Sequence, residues 1–97
     1  MKIVNNKNFN IKELSEKYPM FISYYDYLKK KYNNRFSLNS SELMQELEIS
    51  NTTFYGRKKK GKNLPDYIQE NEMEKGSISF PLVCIAAYKA SGYVKLQ

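Results

Sequence analysis

The residues whose types and spacing can do chemistry lie together in one run, Ser50-Asn51-Thr52-Thr53-Phe54-Tyr55-Gly56-Arg57-Lys58-Lys59-Lys60-Gly61-Lys62. The chemistry they offer is the binding of a polyanion. Hydroxyl and amide groups come first and suit base edges, and the cations that follow suit phosphates. Catalysis has little to work with. The chain has no histidine, so the commonest general base and metal ligand is missing. Its one cysteine, Cys84, therefore has no imidazole to activate it. With Leu82, Val83 and Ile85 beside it, a buried thiol is expected. Neither a metal-ligand cluster nor a phosphate-binding glycine loop is spelled out, because Gly56 and Gly61 flank the lysines without the required spacing. The expectation is a non-enzyme without cofactor or metal.

Two short helices joined by a tight turn are expected to position this run. Asn39 can cap the first, with Glu42 three residues on at the capping-box position. Leu43 and Leu47 are one turn apart and share a face. Glu48-Ile49-Ser50 breaks the pattern, Ile49 supplies an apolar plug between the helices, and Ser50 can cap the second helix over Thr53. Phe54 turns inward. Asn51, Thr52, Tyr55, Arg57 and Lys58 then stay on the outward side, as a helix that enters a DNA groove requires. Asn51, Thr52 and Tyr55 are the candidate base readers, and Ser50, Arg57, Lys58, Lys59, Lys60 and Lys62 the candidate backbone contacts. The bland reading of the same run is a solvated helix end with ordinary surface polar residues.

Ninety-seven residues make one small domain with an extension and a modest core. The net charge of +6 is unevenly placed. Residues 1–62 carry thirteen Lys/Arg against six Asp/Glu, and residues 63–97 carry three against four. Such a lopsided charge suits a nucleic-acid partner, though it also serves plain solubility. A single cysteine excludes an internal disulfide. No apolar run approaches membrane-spanning length and no signal peptide opens the chain, so a reducing cytoplasm is the expected compartment.

Met1 to Asn8 reads as a polar, frayed end, followed by a short helix over Ile11 to Lys17. Pro19 suits the first turn of a second helix. Phe21, Tyr25, Leu28 and Tyr32 make its stripe, and Lys29-Lys30-Lys31 its cationic end. Tyr24 and Tyr27 lie off the stripe. With the lysines they spell either a stacking platform for single-stranded nucleic acid or a packed helix with half-exposed rings. A protein interface is a third reading. After Gly61, which can end the recognition helix, Leu64-Pro65 forbids continuation. Asp66 to Gln69 and Ser77 to Phe80 read as the strands of a β-hairpin. Pro81 then starts a last helix over Leu82 to Ser91, with Leu82, Ile85 and Ala86 inward, Lys89 outward and Gly92 as its stop.

This order of elements resembles the AlpA and excisionase group of winged helix-turn-helix proteins, distant relatives of the DNA-binding half of MerR regulators. The resemblance runs from Leu38 to about Ser91. It is carried by Leu38, Glu42, Leu43, Leu47, Ile49-Ser50, Thr53-Phe54-Tyr55, Gly61, Leu64-Pro65 and Phe80-Pro81. It implies a mostly α fold with a small β-hairpin: a winged helix-turn-helix over residues 38–97, with an N-terminal helical extension over 1–37. It also implies that Ser50 to Arg57 reads the major groove while the hairpin lies along the backbone or minor groove. Three departures stand out. Gly56 sits inside the recognition helix, where it either permits close approach of a backbone or shortens the helix. The hairpin carries Asp66, Glu70, Glu72 and Glu74 against Lys75 alone, the wrong sign for phosphate contact. Residues before Leu38 have no counterpart in the minimal domain.

Two functions follow as expectations. One is a small sequence-reading or architectural DNA-binding protein, of excisionase or transcription-regulator type, belonging to a mobile element or phage. The other is a non-enzymatic accessory subunit that aids DNA binding by a larger replication protein such as a polymerase, primase or helicase. Its interface would be Tyr24, Tyr27, Glu70, Glu72 and Glu74. DNA is the expected partner in both, with a larger protein or a second copy of the chain as a further candidate and no membrane.

Overall fold

The last helix, α5 (Leu82–Ala90), is apolar on nearly every side, and the chain is wrapped around it. Leu82, Val83, Cys84, Ile85, Ala86 and Tyr88 are all buried. A helix of that composition is stable only when covered all round. The computed structural model that shows this describes residues 2–3, 10–69 and 78–91.

Helix α1 (Ile11–Lys17) is capped by Asn10, whose side chain accepts from the Glu13 N–H, a cap that the sequence reading passes over. Helix α2 (Phe21–Lys31) begins two residues after Pro19, so this proline precedes the helix instead of opening its first turn. Its stripe behaves as expected: Phe21 and Leu28 are fully buried, and Tyr25 and Tyr32 are partly buried against the core. This face lies along α5, the most extensive helix–helix contact in the molecule. Phe21 and Leu28 thereby join one hydrophobic cluster with Leu38, Leu43, Phe54, Phe80 and Ile85. Asn33 and Asn34 both adopt left-handed backbone, which asparagine tolerates better than most residues, and so turn the chain after α2.

Strand β2 (Ser37–Leu38), not foreseen in the sequence, leads into α3 (Ser40–Leu47), and α4 (Asn51–Lys60) follows after a three-residue turn. Strands β3 (Ile68–Gln69) and β4 (Ile78–Pro81) pair antiparallel as the expected hairpin, in the register Ile68↔Ser79 and Gln69↔Ile78. β3 covers only the second half of the expected span Asp66 to Gln69, and β4 runs one residue past Phe80, to Pro81. Residues 70–77, which carry Glu70, Glu72 and Glu74, lie outside the described residues, as does Gly92. β4 also pairs with β2, placing Leu38 opposite Phe80, and both are fully buried. A further strand, β1 (Lys2–Ile3), pairs with β3. This corrects the expectation of a wholly frayed start: backbone pairing at a sheet edge needs no apolar side-chain pattern. The sheet order is β1-β3-β4-β2. The protein is thus mostly helical with a small antiparallel sheet.

Pro81 joins the last strand to the last helix. Its φ of −58° fits the start of α5, and its missing N–H is one the first helical turn leaves unpaired anyway. The next N–H, from Leu82, donates to the Phe36 carbonyl at 2.8 Å and ties α5 to the chain ahead of β2.

Candidate nucleic-acid interface

Local hydrogen bonding sets the angle at which α4 leaves α3. Asn39 and Glu42 form a reciprocal capping box at the start of α3. Arg35 grips the same carboxylate with two nitrogens, at 2.6 and 2.9 Å. The Arg35 guanidinium and then the Asn39 N–H hold the Glu42 carboxyl below the usual carboxylate range. At the other end Glu48 takes left-handed backbone (φ 58°, ψ 47°), and the Ile49 N–H donates to the Met44 carbonyl at 3.1 Å. Met44 and Ile49 both pack on the core. Ser50 then caps α4, its Oγ accepting from the Thr53 N–H at 3.1 Å. Gly61 (φ 74°) ends α4 with its N–H on the Arg57 and Lys58 carbonyls. Both caps of α4 and the N-terminal cap of α3 fall where the sequence places them, whereas the left-handed Glu48 at the end of α3 is not marked in the sequence.

Phe54 anchors α4. It is fully buried and meets Phe80 edge-on, with ring centroids 6.0 Å apart. At about 100° per residue, Thr52, Gly56 and Lys59 lie on the side opposite Phe54. Asn51 and Tyr55 form one edge of that outer face, and Thr53, Arg57 and Lys60 the other. Asn51, Thr52, Tyr55, Lys59, Lys60 and Lys62 are exposed, and Tyr55 is the more open of the two ring residues on this helix at 56%. Of the candidate backbone contacts, Ser50 is exposed but engaged as the cap. Lys58 and Arg57 are half-buried. The Arg57 guanidinium donates to the Asn63 carbonyl at 3.3 Å and to the Tyr88 hydroxyl at 3.5 Å. It therefore braces the loop after α4 as well as bordering the outer face. Gly56 does not shorten the helix, which continues to Lys60.

No family model matches the chain, and neither the curated proteins nor the solved structures contain a significant match.

The α2 tyrosines are placed differently. Tyr25 stacks on Phe21 at 5.5 Å, and Tyr24 and Tyr32 are partly buried against the core. Lys29 sits over the Tyr25 ring, Lys31 over Tyr27 and Tyr32, and Lys89 over Tyr24 and Tyr27. Of the four rings in this group only Tyr27 is exposed, at 44%. Its hydroxyl accepts from Lys31 at 3.1 Å. The series of bare ring faces on which successive bases would stack is not present on α2.

The residue that holds these elements together is not among those the sequence singles out. Glu46 on α3 is buried, its side chain 1% exposed. One carboxylate oxygen accepts from the Tyr32 hydroxyl at 2.6 Å and from Lys31 at 3.0 Å, and the other accepts from Lys89 at 2.7 Å. Burial opposes its ionisation, but the bonds from Lys89, Tyr32 and Lys31 prevail and hold its pKa at about 2. Burial and the Glu46 bond together push the Tyr32 hydroxyl up to about 12. Lys89, expected outward, is turned in with a side chain only 16% exposed, because a buried carboxylate requires a partner. One carboxylate thus joins α2, α3 and α5. A signal existed: Glu46 follows Leu43 by three residues, which puts it beside Leu43 on the face of α3 that turns inward.

Cys84 is buried, and burial first, with Asp66 second, pushes its thiol up to about 12. It stays protonated at neutral pH, which removes its nucleophilic form. Among the described residues no group of three or more His, Cys, Asp or Glu could hold a metal ion, and no helix is long and apolar enough to cross a membrane.

Proposed function

We propose that the protein binds double-stranded DNA as a winged helix-turn-helix: α4 enters the major groove, α3 supports it, and the β3–β4 hairpin is the wing. The observation that carries this reading is the split character of α4. Phe54 locks one side into the core, while the other side presents exposed Asn51, Thr52, Tyr55, Lys59 and Lys60. A cap at each end and a buried anchor hold that outer face rigidly, which favours a docking surface over a solvated helix end. Asn51, Thr52 and Tyr55 face the bases; Lys59, Lys60 and Lys62 meet phosphates, with Lys58 and Arg57 at the border. The test is a triple variant, Lys59→Ala, Lys60→Ala and Lys62→Ala, titrated with duplex DNA over a salt series. For every phosphate that no longer meets a cation, the log–log salt slope should fall by about 0.9. An unchanged slope and affinity would remove α4 as the DNA face.

A second reading has its own support. Of the six large hydrophobic side chains that are exposed among the described residues, five (Ile11, Met20, Ile22, Tyr27 and Phe36) come from residues 11–36. An apolar surface concentrated there suits a protein contact by the N-terminal segment, as an accessory subunit of a larger DNA-handling protein would make.

A further inference from the structure

Nothing among the described residues explains Gly56. It lies in the interior of α4, where glycine is less stable than alanine. Its backbone is not left-handed: of the described glycines only Gly61 has a positive φ. A Cβ built on it would meet nothing within 4 Å among the described residues. Neither conformation nor internal packing therefore calls for glycine at this position. What the glycine does is leave the helix backbone bare on the side opposite Phe54, in the middle of the outer face.

Beside this bare patch lies an open concavity of about 310 Å³ between α4 and the loop that follows it. Thr52, Thr53, Arg57, Lys60 and Lys62 line it around Gly56, with Asn63 at the loop end. Three of these are cations, two are hydroxyls, and none of the lining residues is acidic. The Arg57 guanidinium is steadied in its wall by Asn63 and Tyr88. A tetrahedral anion suits such a site: cations neutralise it, and the Arg57 guanidinium and the Thr53 hydroxyl, on the edge away from Asn51 and Tyr55, can donate to its oxygens.

We infer that the concavity over Gly56 is a phosphodiester seat, in which the backbone of one DNA strand lies directly against α4 and is held by Lys60, Lys62 and Arg57. This rests on the duplex-binding reading above and adds to it a direction of approach. The Arg57–Lys60 edge of α4 follows a phosphate backbone, and the Asn51–Tyr55 edge is turned toward the bases. A side chain at position 56 would hold the strand off, so glycine is a requirement of the complex that the free protein bears as a cost in helix stability.

The decisive comparison is Gly56→Ala against wild type, with thermal melting and with duplex titration by fluorescence anisotropy across a salt series. The free variant should melt about 4 °C or more higher, since alanine is the better helix former and has room. It should nonetheless bind duplex about tenfold more weakly, the effect of displacing a single phosphate from its seat. A companion variant on exposed positions, Lys60→Ala with Lys62→Ala, should lower the salt slope by about two. Wild-type affinity in Gly56→Ala, or a melting temperature below wild type, would overturn the seat while leaving duplex binding intact. Wild-type protein that binds no duplex at low salt would remove the duplex reading and the seat with it.

Discussion

Replacing Glu46 by glutamine should remove a pH-dependent part of the protein's stability that can be sized from its surroundings. The carboxyl is held at about 2 against an ordinary value of 4.5, which corresponds to about 3 kcal/mol of stabilisation. Folding depresses this pKa. The contribution is therefore complete above about pH 4.5 and is lost as the pH falls toward about 2. Against a total stability of about 5–15 kcal/mol for a domain of this kind, that is a large share. Glutamine keeps the shape and can still accept from Tyr32, but it leaves Lys89 facing a neutral amide. Breaking one side of a buried pair costs about 3–5 kcal/mol, in line with the linkage figure. The assay is urea unfolding of wild type and Glu46→Gln at a series of pH values. The two stabilities should differ by about 3 kcal/mol near neutrality and converge as the acid limit is approached. Parallel curves, with the same gap throughout, would refute the assignment of the acid sensitivity to Glu46.

Phe54→Ala should cost about 3–5 kcal/mol in the same unfolding assay, because removing a fully buried ring that packs on Phe80 leaves a cavity. Duplex binding should fail along with the fold under conditions where the variant is unfolded. Glu48→Gly should raise stability by about 1 kcal/mol, since Glu48 is exposed and its left-handed backbone is strained for any residue with a Cβ. A loss of stability in Glu48→Gly would show that its side chain matters more than its φ.

What the sequence makes legible here is local. Asn39 with Glu42, Ser50 with Thr53, and Gly61 are caps whose partners lie within four residues, so residue type and spacing nearly determine them. The stripe Phe21-Tyr25-Leu28-Tyr32 is legible for the same reason. The interactions that escape the reading are those that join distant parts of the chain. Glu46 and Lys89 are 43 residues apart. A lysine on an otherwise apolar α5 looks like a solvent-facing position until the carboxylate that receives it is known. Ser37-Leu38 is too short to show an alternating pattern, and it becomes a strand only because β4 lies beside it. Arg57 reads as one more cation in a basic run, although the loop carbonyl of Asn63 and the Tyr88 hydroxyl engage it. Gly56 is the converse case. It is anomalous in the sequence and stays so in the fold, which is why its explanation is sought in a partner.

The most direct measurement is the affinity of the purified wild-type protein for duplex and for single-stranded DNA of matched length, across a salt series. Duplex binding that is tighter than single-strand binding and falls steeply with salt is the predicted result, as α4 cations displace counterions. Equal or tighter binding of the single strand, or no binding of duplex at low salt, would contradict α4 as a groove-reading helix.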